Sequence, residues 1–158
     1  MKYRRLTKEQ FEELHQEFIN FLATQSITAA EWKDIKSNKP AVAEQELDVF
    51  SDLIWEGVLK KVTYLEHISE KSMQLFHIKK ASIDLIAVNL IATSHELTDP
   101  EGFKWFQENL MNDSVELFTA SKKFSEDRNK EIFELIERGS VITKGNLYRA
   151  LDKFIKAS

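Results

Sequence analysis

Residues 73–91 read MQLFHIKKASIDLIAVNLI, and the conformation of this stretch decides the fold class of the chain. Read as helices, it turns Met73, Phe76 and Ile83 inward, with Ser82 as an N-cap. Read as strands, its two halves form a hairpin around residues 79–82. The β-branched residues of the second half favour strands, but the loop has neither Gly nor Asn, which disfavours a tight hairpin. Periodicity does not decide short apolar runs, and we favour the helical interpretation.

Helix-start signals recur along the rest of the chain. Thr7 with Gln10 and Thr28 with Glu31 have the spacing of capping boxes. Asp99 is followed by a proline at the first helical position, and Asp113 precedes another apolar stripe that predicts a helix. The 158 residues include only 4 glycines and 2 prolines, which are the residue types that most often interrupt helices. The chain therefore has many signals that begin helices and few that end them.

Residues 41–61 form the longest apolar pattern. Projected as a helix, they carry apolar side chains around more than half of the circumference, which indicates a central helix with several neighbours. The sequence therefore predicts a mainly α fold, a single-domain helical bundle of about seven or eight helices over residues 1–158. The alternative is an α+β fold with a small β-hairpin near residues 73–91.

The amino-acid composition excludes several kinds of site and indicates where in the cell the chain is located. The absence of cysteine leaves no disulfide, thiolate metal site or thiol nucleophile. No apolar signal core follows the N-terminus, and no apolar stretch approaches the roughly 20 residues that span a bilayer. We therefore expect a soluble cytoplasmic protein with no membrane contact. The net charge of −4 argues against a nucleic-acid partner, because nucleic-acid binding depends on lysine and arginine side chains that neutralise phosphates.

Carboxylates and tryptophans supply the candidate partner surface. Asp48, Asp52 and Glu56 recur every four residues along the predicted central helix, so they repel one another unless a basic group or a cation lies nearby. Trp55 and Trp105 lie beside the apolar stripes of their helices, and tryptophan is enriched at binding hot spots. We expect these five residues to contact an unidentified protein partner. A homodimer is one arrangement that would cover them.

Histidines next to glutamates are the candidate catalytic groups. They are His67, which follows Glu66, and His95. Adjacent residues on a helix do not face each other, so a dyad would depend on tertiary folding. The chain has no glycine-rich phosphate loop, no G-x-S-x-G and no H-E-x-x-H, and it has one Glu-x-x-His where a di-iron bundle uses two. We predict no cofactor and no metal site.

A basic segment near the C-terminus offers another interpretation. Arg138, Lys144, Arg149 and Lys153 surround Tyr148, and cations interleaved with an aromatic residue can contact RNA. The same cations also suit the end of a helix, where they stabilise the helix dipole.

Four short segments carry a resemblance to a known family. They are FSDLIWEGV (50–58), YLEHI (64–68), SEDRNKEIF (125–133) and ITKG (142–145). These segments resemble a bacterial family of short uncharacterised proteins, a domain of unknown function. The resemblance implies a soluble bacterial protein of this length, with no activity, cofactor or catalytic residue to transfer. It directs attention to the neighbourhood of Trp55, Glu56, Tyr64, Glu66, His67 and Arg128.

These observations favour a protein-interaction or scaffold module. The acidic residues, the tryptophans beside the stripes and the lack of a catalytic motif motivate this expectation. One alternative is a small metal-dependent or hydrolytic enzyme that uses Asp52, Glu56, Glu66 and His67. The other is an RNA-associated accessory protein that uses the basic C-terminal helix.

Overall fold

The computed structural model describes every residue from Met1 to Ser158 and divides the chain into two compact units. The first unit comprises residues 1–60 and the second comprises residues 61–158. No helix of the chain combines the length and the apolarity that a membrane crossing requires. Each unit is described by itself.

Four helices make up the first unit. They are α1 (Lys8–Glu13), α2 (His15–Thr24), α3 (Ala29–Asn38) and α4 (Pro40–Lys61). The predicted capping box at Thr7 is confirmed, because the Gln10 amide donates to the Thr7 hydroxyl and the Gln10 side chain accepts from the Thr7 amide. The predicted start of α3 is confirmed too, since the Glu31 amide donates to the Thr28 hydroxyl.

Aromatic side chains fill the interior of the first unit. The ring centroid of Phe18 lies 5.0 Å from that of Phe50 and 5.2 Å from that of Trp32, both edge to face. Phe11 and Phe21 contact Phe50 with centroid distances of 6.0 and 5.4 Å. Such pairs contribute about 0.5–1.5 kcal/mol each beyond the burial of their area. These ring contacts therefore hold α4 against α1 and α2, and α3 against α2.

The second unit is built on a five-stranded antiparallel sheet. Its strands are β1 (Tyr64–Ile68), β2 (Ser72–Ile78), β3 (Ser82–Leu90), β4 (Val115–Lys123) and β5 (Val141–Thr143). Its helices are α5 (Pro100–Glu108), α6 (Arg128–Glu137) and α7 (Asn146–Ala157). The strand order is β4-β3-β2-β1-β5, so β2 is central and β4 and β5 are the edges.

The prediction of a mainly α helical bundle is wrong, because the chain is α+β and strands replace the helices expected over residues 73–91. Ile78 pairs with Ile83 in a hairpin, which is the alternative interpretation of this stretch. The sheet is larger than that hairpin, since three further strands extend it. Leu75 and Phe76 are buried on opposite faces of β2, so apolar residues follow one another and the alternation typical of a strand is lost.

The helix predicted after Asp113 is wrong as well, because these residues form β4. The predicted N-cap at Asp99 is confirmed, since the Gly102 amide donates to its carboxylate at 3.3 Å. Caps are local signals, whereas strand pairing joins distant residues. This difference explains why the N-cap at Asp99 was predicted correctly, whereas the strand after Asp113 was mistaken for a helix.

Different helices cover the two faces of the sheet. On one face, which we call the α7 face, side chains of β2, β3, α5 and α7 share a core that includes Met73, Leu75, Ile86, Val88, Phe106 and Leu151. On the other face, which we call the α6 face, Leu135 of α6 lies near Phe76, Ile83 and Leu85. Each strand therefore contributes alternate side chains to two separate layers.

A close approach at Gly145 positions the start of α7 against β1. Gly145 has a φ of +82°, in the left-handed region that other residues rarely adopt. A Cβ atom built on Gly145 would lie 2.3 Å from Cδ2 of Tyr64. The Tyr64 ring therefore packs directly on backbone, with no room for a side chain.

We expect Gly145→Ala to lower the free energy of unfolding by about 2 kcal/mol or more, because left-handed strain of about 1 kcal/mol adds to the clash with Tyr64. Urea denaturation measures this loss. Gly57→Ala is the matched control, since Gly57 lies within α4 and a built Cβ meets nothing within 4 Å. Alanine there should raise stability by about 0.5–1 kcal/mol. Equal effects of the two substitutions would contradict the close approach at Gly145.

Candidate functional site

Strand β4 is an edge of the sheet, and the structure leaves that edge uncovered. β4 pairs with β3 from Val115, opposite Leu90, to Lys123, opposite Ser82. Residues 118–123 are all exposed, and Phe118 keeps 48% of its accessible surface. The outer side of an edge strand presents unpaired backbone N–H and C=O groups, which another chain can bind.

A polar cleft of about 540 Å³ lies beside β4 on the α7 face. Its polar lining consists of His77, Lys79, Asp84, Thr119, Ser121, Tyr148, Asp152 and Lys156. We call this site the polar cleft. Strand pairing explains part of it, because His77 lies opposite Asp84, which in turn lies opposite Ser121. Helix α7 contributes Tyr148 and Asp152, which are four residues apart and therefore share one side of the helix.

Each carboxylate of the polar cleft is paired with a lysine. The Lys79 ammonium lies 2.7 Å from Asp84 Oδ2, and the Ser121 hydroxyl donates to Asp84 Oδ1 at 2.6 Å. These two contacts hold the pKa of Asp84 below its usual value. The Lys156 ammonium lies 2.9 Å from Asp152 Oδ2 on the same helix. Both lysines remain well exposed to solvent, so each pair contributes only about 0–1 kcal/mol.

Tyr148 forms a buried wall of the polar cleft. Only 7% of its surface is exposed, yet its hydroxyl makes no hydrogen bond to another group of the chain. Burial, followed by the charges of Asp84 and Asp152, raises the pKa of Tyr148 to about 12. The phenol therefore stays neutral at physiological pH and can both donate and accept a hydrogen bond.

The His77 ring forms a cluster with two tyrosine rings, whose own centroids are 5.7 Å apart. Its centroid is 4.7 Å from that of Tyr64, with the rings stacked, and 5.4 Å from that of Tyr148. Burial, followed by the charge of Lys79, lowers the pKa of His77 below its usual value. The imidazole is therefore uncharged at neutral pH, and one of its ring nitrogens is an acceptor.

We expect His77 to make the fold less stable as the pH falls. Its pKa is lower in the folded chain than in the unfolded chain, so the unfolded chain binds more protons. The resulting penalty develops as the pH falls from the unfolded value, about 6.5, towards the lower folded value. Lys79, Arg149, Asp84 and Asp152 are the charged groups that act on the ring.

Melting temperatures of the wild type and of His77→Gln at about pH 8 and about pH 5 measure this effect. The advantage of the wild type should be smaller at the lower pH, because only the wild type carries the titrating imidazole. The other titrating groups are common to both proteins and cancel in the comparison. A constant advantage would show that His77 titrates alike in the folded and unfolded chains.

An apolar groove of about 260 Å³ lies beside β4 on the α6 face. We call it the apolar groove, and its apolar lining consists of Phe76, Ile83, Leu85, Ala120, Phe124 and Leu135. Three charged residues also line this groove: Glu131 and Glu134 of α6, and Arg138, which is the C-cap of that helix. Strand β4 therefore runs between a polar cleft on one face and an apolar groove on the other.

The structure does not bring the predicted catalytic residues together. Glu66 and His67 are neighbours on β1, so their side chains point to opposite faces of the sheet. Burial raises the pKa of Glu66, while His67 packs against Gly139. His95 stacks on Trp105 with a centroid distance of 4.3 Å. No group of three or more His, Asp or Glu side chains is arranged to hold a metal ion.

The two tryptophans predicted to contact a partner differ in exposure. Trp55 keeps only 9% of its surface, and the Arg4 guanidinium lies 5.0 Å from its ring centroid. Trp105 is half-buried and packs against the core of the α7 face. Trp55 therefore offers little surface to a partner, and much of the Trp105 surface is already buried against its own unit.

The N-terminal segment of the first unit binds the acidic residues of α4. We call the carboxylates spaced by four along this helix the acidic ladder, namely Glu44, Asp48, Asp52 and Glu56. The backbone N–H groups of Lys2 and Tyr3 donate to the Asp52 carboxylate at 2.6 and 2.9 Å. The Tyr3 hydroxyl and the Lys2 ammonium bind Glu56 Oε1 at 2.6 and 2.9 Å.

Arg5 completes this arrangement. Its Nε donates to Asp48 Oδ1 at 2.8 Å, and the same guanidinium pairs with Glu44. The charge that compensates the acidic ladder therefore comes from residues 2–5, which precede the first helix. The sequence predicts that some compensation is needed, but the spacing of the acids does not identify its source.

We expect Asp52→Asn to lower the free energy of unfolding by about 1–2 kcal/mol. The carboxylate accepts hydrogen bonds from two backbone N–H groups, whereas an amide has one acceptor oxygen and would turn its NH₂ donor towards the second N–H. Asp48→Asn is the matched control, since it removes the same charge but breaks only side-chain contacts to the part-exposed Arg5. Its cost should stay below about 1 kcal/mol. Urea denaturation compares the two. Equal costs would mean that charge alone, rather than anchoring of the backbone, holds the N-terminal segment.

The four basic residues considered for RNA binding are divided between the two faces of the sheet. Arg138 lies at the apolar groove on the α6 face. The Arg149 guanidinium lies 5.3 Å from the ring of Tyr64 and donates to the Lys144 carbonyl at 2.8 Å. Lys153 is exposed on the same helix as Arg149. The sheet therefore separates Arg138 from Arg149 and Lys153 of α7.

Sequence reasoning missed the polar cleft, although part of its signal is present. In a hairpin with Ile78 opposite Ile83, His77 falls opposite Asp84, so the strand interpretation brings these two side chains together. The spacing of Tyr148 and Asp152 likewise places both on one side of a helix. Only the tertiary fold brings the helix to the hairpin, and no local pattern contains that information.

Comparison with known proteins identifies a family. The model of DUF6495, a family of unknown function, matches residues 1–156 and so covers both units. The match confirms the resemblance to a family of unknown function, while the bacterial origin stays a prediction. No curated protein and no solved structure matches the chain. The geometry of the second unit therefore has to supply the functional inference.

Proposed function

We propose that this chain, which belongs to the DUF6495 family of unknown function, is a protein-interaction module that binds an extended segment of a partner as a sixth strand beside β4. The observation that carries the proposal is an uncovered edge strand flanked by two cavities. The proposal keeps the interaction class and the cytoplasmic location expected from the sequence. It moves the binding surface from the acidic residues and tryptophans to β4.

The backbone of β4 would supply most of the affinity. In strand addition, main-chain hydrogen bonds give affinity and pockets for alternate side chains give specificity. Residues 118–123 are exposed and span about 20 Å at the rise of an antiparallel strand. This length is sufficient for several backbone hydrogen bonds to a segment of similar size.

The two cavities determine which segments fit. Successive side chains of a strand point to opposite faces of the sheet. Thr119 borders only the polar cleft and Lys122 only the apolar groove, while Ala120 and Ser121 between them border both cavities. A segment beside β4 would therefore send alternate side chains towards these two cavities. The occupant is a partner segment that alternates polar and apolar residues.

Lysines at the end of β4 limit indiscriminate pairing. Lys122 and Lys123 are exposed, and Lys122 lies 3.5 Å from Glu131 of α6. Edge lysines discourage association of strand edges in general. They repel a basic residue placed beside them, so they favour a partner segment that is neutral or acidic at this end.

Synthetic peptides of about seven residues, long enough to cover residues 118–123, test the proposal. We use three fluorescein-labelled series that alternate valine with glutamine and carry arginine, glutamine or glutamate at the central polar position only. At least one alternating series should bind about tenfold more tightly than a peptide of the same composition with its residues grouped in blocks, because only alternation fits both cavities. Fluorescence anisotropy measures the affinity. Amide hydrogen exchange over residues 118–123 should slow in the complex.

Peptides with N-methylated amides decide whether the backbone carries the binding. Methylation of alternate amides that face β4 should abolish binding, while methylation of the other set should leave it nearly unchanged. Equal loss in both sets, or binding by none of the three series, would contradict strand addition. A dimer in sedimentation, with slow exchange over residues 118–123 in the absence of peptide, would instead assign the edge to a second copy of the chain.

A further inference from the structure

We infer that the polar cleft is a pocket for one lysine or arginine side chain of the added strand, an assignment that rests on the strand addition proposed at β4. Thr119 and Ser121 of β4 form the outer part of this cleft. A side chain directed towards the α7 face from a strand beside β4 would therefore enter the cleft. Its volume of about 540 Å³ leaves room for a long side chain.

The Tyr148 hydroxyl is available to a ligand in the polar cleft. The residue as a whole is buried to more than nine-tenths and lines this cleft, and its hydroxyl makes no hydrogen bond within the chain. The hydroxyl oxygen itself stays open to the cleft, where water or a ligand can bind it. A group bound in the cleft would take the place of water at this hydroxyl.

Four groups of the polar cleft can accept hydrogen bonds from such a ligand. They are the carboxylates of Asp84 and Asp152, the neutral Tyr148 phenol and the neutral His77 imidazole. Guanidinium and ammonium groups carry only donors. A basic side chain is therefore complementary to this set in both charge and hydrogen bonding.

Two lysines of the chain already occupy the place of the incoming cation. Lys156 pairs with Asp152 at 2.9 Å and Lys79 pairs with Asp84 at 2.7 Å, which shows that both carboxylates attract cations. The Lys156 side chain is 75% exposed, and such pairs are easily exchanged. An incoming basic side chain would displace Lys156 and form the same charge pair beneath the added strand, where solvent screens it less.

Other side-chain classes fit the polar cleft less well. The charges of Asp84 and Asp152 already act together on Tyr148, so they would repel a third carboxylate. An apolar side chain would leave the hydroxyl and the His77 imidazole without partners.

The arginine, glutamine and glutamate peptide series test the assignment. The arginine peptide should bind about tenfold more tightly than the glutamine peptide, and the glutamate peptide should bind most weakly. Asp152→Asn should reduce the preference for arginine over glutamine to about twofold or less. Glu108→Gln is the matched control, because it removes the same charge at an exposed position of α5 that lines neither cavity and should leave the preference unchanged. Equal effects of the two variants would assign the preference to overall charge and overturn the pocket.

Tyr148→Phe provides a second measurement in which charge does not change. The variant keeps the ring and removes a hydroxyl without a partner, so its melting temperature should not fall. Its affinity for the arginine peptide should fall about threefold to tenfold. A lower melting temperature with unchanged affinity would give the hydroxyl a structural role and overturn its part in the pocket.

The results distinguish failure of the pocket from failure of strand addition. If alternating peptides bind and slow the exchange of residues 118–123, but the three series bind equally, strand addition stands and the basic pocket is overturned. If no series binds, strand addition itself is overturned. An arginine peptide that binds without slowing this exchange would place the basic group elsewhere on the surface and would also overturn the pocket.

Discussion

The antiparallel register of β2, β3 and β4 is the constraint on which the second unit depends. A shift of one residue would turn every side chain of a strand to the opposite face. In the observed register, Phe76 lies opposite Leu85 on the α6 face. On the α7 face, His77 lies opposite Asp84, which in turn lies opposite Ser121. The same pairing therefore creates the apolar groove and the polar cleft, and it leaves β4 exposed between them.

The helices of the first unit could be predicted because their signals are local. Thr7 and Thr28 complete their caps with residues three positions further along, so the sequence itself contains the interacting pair. The apolar pattern over residues 41–61 corresponds closely to α4 for the same reason. The spacing of Asp48, Asp52 and Glu56 could also be recognised in the sequence, but that of Glu44 was missed. The partners of these carboxylates are about forty to fifty residues away in sequence, which no periodic pattern specifies.

The sheet and the polar cleft could not be predicted because they depend on distant contacts. Burial on both faces of β2 and β3 removed the alternation that identifies strands, and the edge strands β4 and β5 pair across long intervening segments. The role of Tyr148 could not be predicted either, because its sequence neighbours indicate only a helix in a basic segment. Its burial beside Asp84 emerges only when α7 packs on the sheet.

The strand order also affects the chain while it is being synthesised. β2 and β3 are neighbours in sequence and can pair early. The outer edge of β1 can form its hydrogen bonds only after β5, more than seventy residues later, has been synthesised. Helix α7, which carries Tyr148 and Leu151 into the core, follows later still. A nascent chain on the ribosome therefore exposes the outer edge of β1 and the apolar α7 face of the sheet until β5 and α7 have emerged. That interval is when a chaperone would protect it most.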